Sequence, residues 1–461
     1  MGDYEPTRQR HIAHMLGQLG EHFERVSWSA DRLRHERTAR LRELVALAQE
    51  RSSWHRHRLR GVDAQALDVD DLHTLPVMTK ADLMAHFDAI VTDARVRLAD
   101  VDAHIEQLKS DAYFLDDMHA VASGGSSGVR GVFVWGWDAW ATVQLATVRR
   151  SLLDRIGDPQ LASRSPVAMV VAADNATHFT SALAQTFATG AIETHRFPIT
   201  LPLDAVVDGL NRVGGDILAT YPSMLEALVL EAQAGRLRIE PRRILTMAEP
   251  LFVETRQAAE QLWGAPVGNL WGTSENGVIA TGCFKSAGMH LSDDLVIIEP
   301  VDAGGEPVPP GVRSDKVYVT NLFNPLLPLI RYEITDEVTF VSEPCACGSV
   351  YSRIADIEGR NDDVFTYAGG LAVHPHVFRS VLAQVAAISE YQVHQTAVGA
   401  EILVCASSAV DTRRITADVT QALARLGWSE PVVSARVVER IPRLDTGKLK
   451  RFVPLPSDAR A

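Results

Sequence analysis

Ile441-Pro442-Arg443-Leu444-Asp445-Thr446-Gly447-Lys448-Leu449-Lys450-Arg451 stands ten residues from the end of a 461-residue chain. A lysine set just after Thr-Gly and flanked by basic residues is a cation delivered on a tight turn. Glycine permits the backbone geometry, and the ammonium is a compact charge suited to phosphate or carboxylate oxygens. Alone, the segment could also be a basic surface tail. It gains meaning from four blocks that precede it in order: Ser123-Gly124-Gly125-Ser126-Ser127-Gly128, Trp271-Gly272-Thr273-Ser274-Glu275, Arg331-Tyr332-Glu333-Ile334-Thr335-Asp336, and Gly359-Arg360-Asn361-Asp362-Asp363.

The chain is too long for one ordinary core, so a large domain over 1–361 and a smaller one over 362–461 are expected. Hydrophobic content of 46% describes a globular protein with a normal core, and the net charge of −13 argues against a nucleic-acid or anionic-membrane partner. No signal-peptide pattern opens the sequence and no apolar run reaches the roughly 18 residues of a membrane span. Four cysteines do not make a disulfide framework, and a reduced, cytoplasmic location is the expectation. A homodimer is compatible with the sequence.

Residues 1 to about 60 have helical spacing and read as one or two amphipathic helices. Leu75-Pro-Val-Met-Thr-Lys-Ala-Asp-Leu83 reads as a loop leading to a helix capped by Thr79. From about 110 to 280, strands (167–173, 216–220, 243–247) alternate with helices (181–188, 225–231, 252–263), which predicts layered α/β structure with parallel strands. A small β-subdomain follows over about 290–345. The last hundred or so residues read as a compact α+β unit with strands near 391–398, 401–406 and 432–438 and a helix over 411–426.

The blocks carry chemistry individually. Ser123 to Gly128 can wrap an anion with backbone N–H groups and hydroxyls, although it lacks Gly-Lys-Ser/Thr and runs into a strand rather than a helix. Trp271 can stack on a planar base and Glu275 can hold Mg²⁺ beside phosphates; the plainer alternative is a buried Trp and a solvated Glu. Asp336 can accept from ribose hydroxyls and Arg360 can donate to the same sugar or to phosphate, or each can be a surface ion-pair member. Cys283, His290, Cys345 and Cys347 are three soft ligands and one borderline ligand, the set a structural Zn²⁺ takes, or else buried and turn cysteines.

Together the blocks resemble the adenylate-forming superfamily of acyl-CoA synthetases and nonribosomal adenylation domains, in particular its phenylacetate–CoA ligase branch. The likeness also includes the segments at 75–83, Ala248-Glu249-Pro250-Leu251, Pro325-Leu-Leu-Pro-Leu-Ile-Arg-Tyr332 and Cys345-Ala-Cys-Gly348. The resemblance implies that Ser123, Gly124, Gly125, Ser126, Ser127 and Gly128 close over the β- and γ-phosphates of ATP. Ala248, Glu249 and Pro250 would line one face of the adenine and Trp271 the other, with Asn269 near the adenine amino group. Gly272 belongs to the same motif, Thr273 and Ser274 would approach the α-phosphate, Glu275 would hold Mg²⁺, and Asp336 and Arg360 would bind ribose. Lys448 would stabilise charge between acid and α-phosphate, and Asp362 would be the hinge of a mobile C-terminal domain. Where the family has a Lys-Pro pair after the loop, Val129-Arg130 stands here, so Arg130 is the expected replacement cation. His178 and Phe179 fall where the branch lines its acyl pocket, in a stretch that departs from the branch, so the expected acid is not phenylacetate.

The implied activity is ATP-dependent adenylation of a small aromatic acid and transfer to a thiol such as coenzyme A. Alternatives are an enzyme of a natural-product pathway with an amine or carrier-protein acceptor, one activating another oxyacid such as nitrite, or a non-catalytic nucleotide-binding protein. Retention of both Glu275 and Lys448 speaks against the last.

Overall fold

The structure is a computed structural model that describes residues 4–123, 131–156, 166–173, 178–355, 357, 359–360, 363–368, 371–373, 375–382, 385, 387–406, 408–428, 430–444 and 449–455. Among these, a nine-stranded sheet organises the large part of the chain. Its order is Phe340–Val341, Arg353–Ile354, Met289–Leu291, Gly277–Gly282, Val267–Thr273, Arg243–Met247, Ile217–Thr220, Val167–Ala172 and Glu193–Pro198. The run from Val267–Thr273 to Glu193–Pro198 is parallel, as the alternation of strands and helices predicts, and the remainder is antiparallel.

Some boundaries differ from the sequence reading for local reasons. The helix expected over 181–188 runs Phe179–Thr186, because the Thr186 hydroxyl is drawn inward to Asp111 Oδ2 (2.7 Å) and accepts from Trp140 Nε1 (3.0 Å). The helix expected over 225–231 extends over Pro222–Gln233, since proline in the first turn lacks only an N–H that would have had no helical partner. The N-terminal region forms three helices rather than one or two, Tyr4–Arg25, Ala30–Arg51 and Ser53–Arg58. Ser52 ends the second and caps the third, its hydroxyl accepting from His55 N. Thr79 caps Lys80–Ala85 in a reciprocal box with Asp82, as expected.

The small β-subdomain is a three-stranded sheet of Val296–Val301, Lys316–Asn321 and Tyr332–Ile334. Beyond residue 363, a four-stranded sheet in the order Val432–Val437, Gly399–Ala406, Ile388–Thr396, Phe452–Val453 packs on Thr412–Ala424 around Phe365, Phe378, Val393, Ile402 and Val419.

One ion pair lies wholly inside the large part. Arg149, on helix Trp137–Ile156, makes two parallel bonds to Asp294 (2.7 and 2.6 Å), and both side chains are inaccessible to solvent. Burial alone would raise the Asp294 carboxyl, but Arg149 and then Arg25 hold it well below the usual carboxylate range. Asp294→Ala leaves a buried cation without its partner, which typically costs about 3–5 kcal/mol, whereas exchanging both partners for apolar residues is close to neutral. Urea unfolding should therefore show a large loss for Asp294→Ala and a much smaller one for Arg149→Met combined with Asp294→Leu.

Candidate active site

The parallel strands deliver their C-terminal ends to one edge of the sheet, the edge where open α/β sheets bind ligands. Strand Arg243–Met247 ends in Ala248, whose φ of +71° is left-handed and sparsely populated for a residue with a side chain. The turn it makes directs Glu249 back over the neighbouring helix start. Glu249 Oε2 accepts from Ser223 N (3.0 Å), just beyond strand Ile217–Thr220, and its Oε1 accepts from Leu449 N (2.9 Å). Asn269, buried on strand Val267–Thr273, takes the Thr246 hydroxyl on its Oδ1 (3.0 Å).

Val267–Thr273 and Gly277–Gly282 form a tight hairpin whose turn presents Ser274 and Glu275. Gly272 is required there, since a Cβ would meet the Gly277 carbonyl oxygen at 2.7 Å. The Thr273 hydroxyl braces the turn by accepting from Asn276 N (3.1 Å). The indole of Trp271 is only 5% exposed and donates from Nε1 to Asp336 Oδ2 (3.3 Å). Asp336 and Arg360 are direct partners across a short antiparallel ladder, so the two ribose candidates arrive on adjacent strands. The indole, the carboxylate and the strand that carries residue 360 thus lie side by side.

Ser123 follows strand His119–Ala122 and Gly131 precedes its antiparallel partner Val132–Trp135. Ser123 N donates to Gly131 O (2.8 Å) and Gly131 N to Ser123 Oγ (2.9 Å), drawing the two ends of the loop together. Gly124, Gly125, Ser126, Ser127, Gly128 and Arg130 lie outside the described residues, as do Asp362 and Lys448. The residues on either side of 445–448 are described. Ile441 and Leu449 pack on Leu403, Val393 N donates to Arg451 O (2.7 Å), and Gln392 Nε2 donates to Lys450 O (2.8 Å). Arg451 pairs with Glu226 (2.6 Å) and lies over the rings of Tyr391 (4.8 Å) and Phe252 (5.8 Å). Arg443 pairs with Glu390 and donates to Ser223 Oγ (3.3 Å).

His178 precedes helix Phe179–Thr186 and is buried, its Nδ1 3.0 Å from the Thr180 hydroxyl. Phe179 packs against Trp135 (5.5 Å) and edge-on to Trp140 (5.2 Å), and Trp135 in turn contacts Phe323 (5.9 Å). Trp135 Nε1 donates to Ser274 O (3.2 Å), which sets this aromatic wall directly behind the Ser274–Glu275 turn. Sequence reasoning missed Trp135, and it missed Tyr332, whose buried hydroxyl has no hydrogen-bond partner among the described residues. The continuous apolar run Val132–Trp135 was the available signal for the first; the second stands inside the quoted 331–336 block, where it was given no role.

Cys283, His290, Cys345 and Cys347 converge from the Gly277–Gly282 hairpin end, strand Met289–Leu291 and the 345–348 turn, with their ligand atoms all within 4.8 Å of one another. Cys283 Sγ is 3.5 Å from Cys345 Sγ, and Cys347 Sγ is 3.3 Å from His290 Nε2. Those separations approach the edge of a tetrahedron built on Zn–S bonds of about 2.3 Å. His290 Nδ1 is 3.2 Å from Tyr351 O, which leaves Nε2 facing the sulfurs, and burial together with Arg150 pushes its pKa down to about 4. A neutral imidazole and three thiols are the donor set structural zinc requires.

No family model matches the chain. It is 32% identical over 204 residues to a phenylacetate–coenzyme A ligase of Thermus thermophilus, a match that takes in 43% of this chain and spans 43% of the length of that relative. Among solved structures, 2-hydroxyisobutyryl-CoA ligase in its postadenylation state superposes with a TM-score of 0.70 at 19% identity over 94% of this chain and 92% of that one. The same ligase in its thioesterification state gives 0.59 over 93% and 91% of the two chains, again at 19% identity. An anthranilate CoA ligase bound to anthranoyl-AMP gives 0.52 at 17% identity, over 72% of this chain and 65% of that one. The chain has the fold of the adenylate-forming CoA ligases, with a small C-terminal unit seated on a large layered α/β body.

Proposed function

We propose that this protein is an ATP-dependent acid–CoA ligase that adenylates a small aromatic carboxylic acid and passes the acyl group to coenzyme A. The observation that carries this reading is the meeting of motifs at one sheet edge. The residue after Lys448 donates to Glu249, while Glu275 sits on the hairpin that also positions Trp271 against Asp336. The likeness to phenylacetate–coenzyme A ligase and the shared fold support it. In the first half-reaction a carboxylate oxygen attacks the α-phosphorus, the bond to the bridging oxygen breaks, and pyrophosphate leaves. In the second, the thiol sulfur attacks the acyl carbon and AMP departs with the electron pair.

Within this reading Glu275 holds Mg²⁺ beside the phosphates and Ser274 and Thr273 face the α-phosphate. Asp336 and Arg360 hold ribose, and His178 and Phe179 stand beside the acid, as the resemblance implies. Lys448 neutralises charge that develops as the acid attacks. Because the thiol must later enter the space the lysine segment fills, the unit beyond Asp362 is proposed to swing about that residue. The better superposition on a postadenylation state supports a description of this chain as docked for the first step. ATP and coenzyme A as substrates are in keeping with a cytoplasmic site of action, and no helix among the described residues is long and apolar enough to cross a membrane.

A pyrophosphate-exchange assay over aryl acids and nitrite, with and without coenzyme A, tests the proposal. Exchange with at least one acid is expected, and Lys448→Ala should lower it by about a hundred-fold or more, on the scale of a lost oxyanion donor. ATP affinity should stay within several-fold. Exchange that survives the substitution, or ATP binding that collapses with it, would contradict the role given to Lys448.

The Cys/His cluster is proposed to hold one structural Zn²⁺. Three thiolates and the ion leave one negative charge, and Arg150, largely buried and in the field of Cys347 and Cys283, supplies the counter-charge. Elemental analysis should find close to one zinc per chain, and Cys345→Ser should lower both zinc content and melting temperature. Metal-free protein of undiminished stability would reduce these residues to packing.

A further inference from the structure

Helix Phe179–Thr186 has eight residues, too few to hold its own shape in water, so the contacts at its two ends decide where it lies. Its first end carries His178 and Phe179. Its last end is gripped by the N-terminal helix Tyr4–Arg25. Arg8 Nε donates to Gln185 O (3.2 Å), 177 residues away in sequence, and Arg8 Nη2 donates to Ala188 O. Arg8 Nη1 donates to Glu5 Oε1 (2.9 Å), which steadies the guanidinium, and only 13% of the Arg8 side chain is exposed. A cation on the last carbonyls of a helix also meets the negative end of its dipole.

Beside this grip lies a buried set of polar groups that joins the same two helices. Asp111 accepts from the hydroxyls of Tyr4 (2.6 Å) and Thr186 (2.7 Å), and its backbone N–H donates to Gln185 Oε1 (3.2 Å). His119 Nε2 stands 3.1 Å from the Thr186 hydroxyl and 3.4 Å from Asp111 Oδ1, and its ring stacks on Trp140 (4.6 Å). His11 lies edge-on to Phe187 (4.9 Å) and stacks on Trp137 (3.7 Å), with its Nδ1 3.1 Å from the Tyr113 hydroxyl. Tyr4, Arg8 and His11 stand at the spacing of one helix face, so a single stripe of the N-terminal helix makes all of these contacts.

We infer that the N-terminal helix is a strap that positions the acid-binding segment, with Arg8 as its chief positioning residue. It fixes the far end of helix Phe179–Thr186 and so sets where His178 and Phe179 stand. This rests on the adenylation reading, which puts those two residues beside the acid, and adds to it a determinant of acid binding that lies outside the site. A helix of eight residues is a rod about 12 Å long, so slack at one end appears at the other. Misplacement by about 1 Å can cost an enzyme about a hundred-fold, and a segment still held in part by Asp111 should lose roughly ten-fold.

Pyrophosphate exchange by the full-length protein tests it, run with whichever aryl acid of the panel supports exchange best, benzoate, salicylate and anthranilate among them. Arg8→Met keeps the apolar stem and removes both bonds to the helix end. It should raise the KM for the acid by about ten-fold and leave the KM for ATP within about two-fold, whereas a partly unfolded preparation lowers kcat and neither KM. Arg8→Lys, which can still serve one carbonyl, should recover part of the loss. Tyr4→Phe, a milder change at the same tether, should shift the acid KM the same way by a smaller factor. Deuterium exchange without ligand should quicken over 179–188 in Arg8→Met and stay unchanged in strand Arg243–Met247. An unchanged KM for the acid, an equal rise for ATP, or unchanged deuterium exchange over 179–188 would overturn the assignment while leaving the adenylation reading intact. A wild-type protein that supports exchange with no acid of the panel would overturn both.

Discussion

The arrangement of the site depends on one carboxylate that serves two backbone amides far apart in sequence. Glu249 holds Ser223 N with one oxygen and Leu449 N with the other. Hydrogen bonds to an ionised acceptor are typically worth about 1.5–3 kcal/mol each, enough to decide how a small unit sits on a large one. The left-handed backbone at Ala248 makes this possible, because it turns Glu249 toward the helix start rather than along the strand. Other contacts join the same two parts: Arg443 reaches Ser223 Oγ, and Arg451 is half-buried among Glu226, Tyr391 and Phe252.

This interface is polar and charged where it touches the large body, with the apolar packing kept within the C-terminal unit around Ile441, Leu449 and Leu403. An interface of that kind can separate without exposing a large apolar area, since its ions rehydrate when it opens. The large body is held differently. Its Arg149–Asp294 pair is sealed from solvent and its aromatic wall is interlocked, so it provides a fixed frame for the site.

Much of this was legible in the sequence because the motif residues obey local rules. The Trp271–Glu275 block was legible as chemistry through its indole and carboxylate, while the close approach of Gly272 to the Gly277 carbonyl appears only in the structure; Thr79 reads as a cap before a helical segment. The Cys/His set was legible as chemistry, though only the strand pairing of His290 with Arg353 brings its two halves together. What was not legible depends on long-range pairing. The resemblance put Glu249 on the adenine face, and nothing local shows that its carboxylate also accepts from Ser223 N and Leu449 N. Phe179 was expected to line the acyl pocket, and its ring packs in a core cluster against Trp135 and Trp140.

The most direct test of the docking account is hydrogen–deuterium exchange in the peptide containing Leu449, compared between wild type and Glu249→Ala. If Glu249 anchors the lysine segment, exchange there should quicken by about ten-fold or more, as expected for loss of a bond to a charged acceptor, with the sheet strands unaffected. Identical exchange in the two proteins would show that the segment is held without Glu249 and would contradict the account.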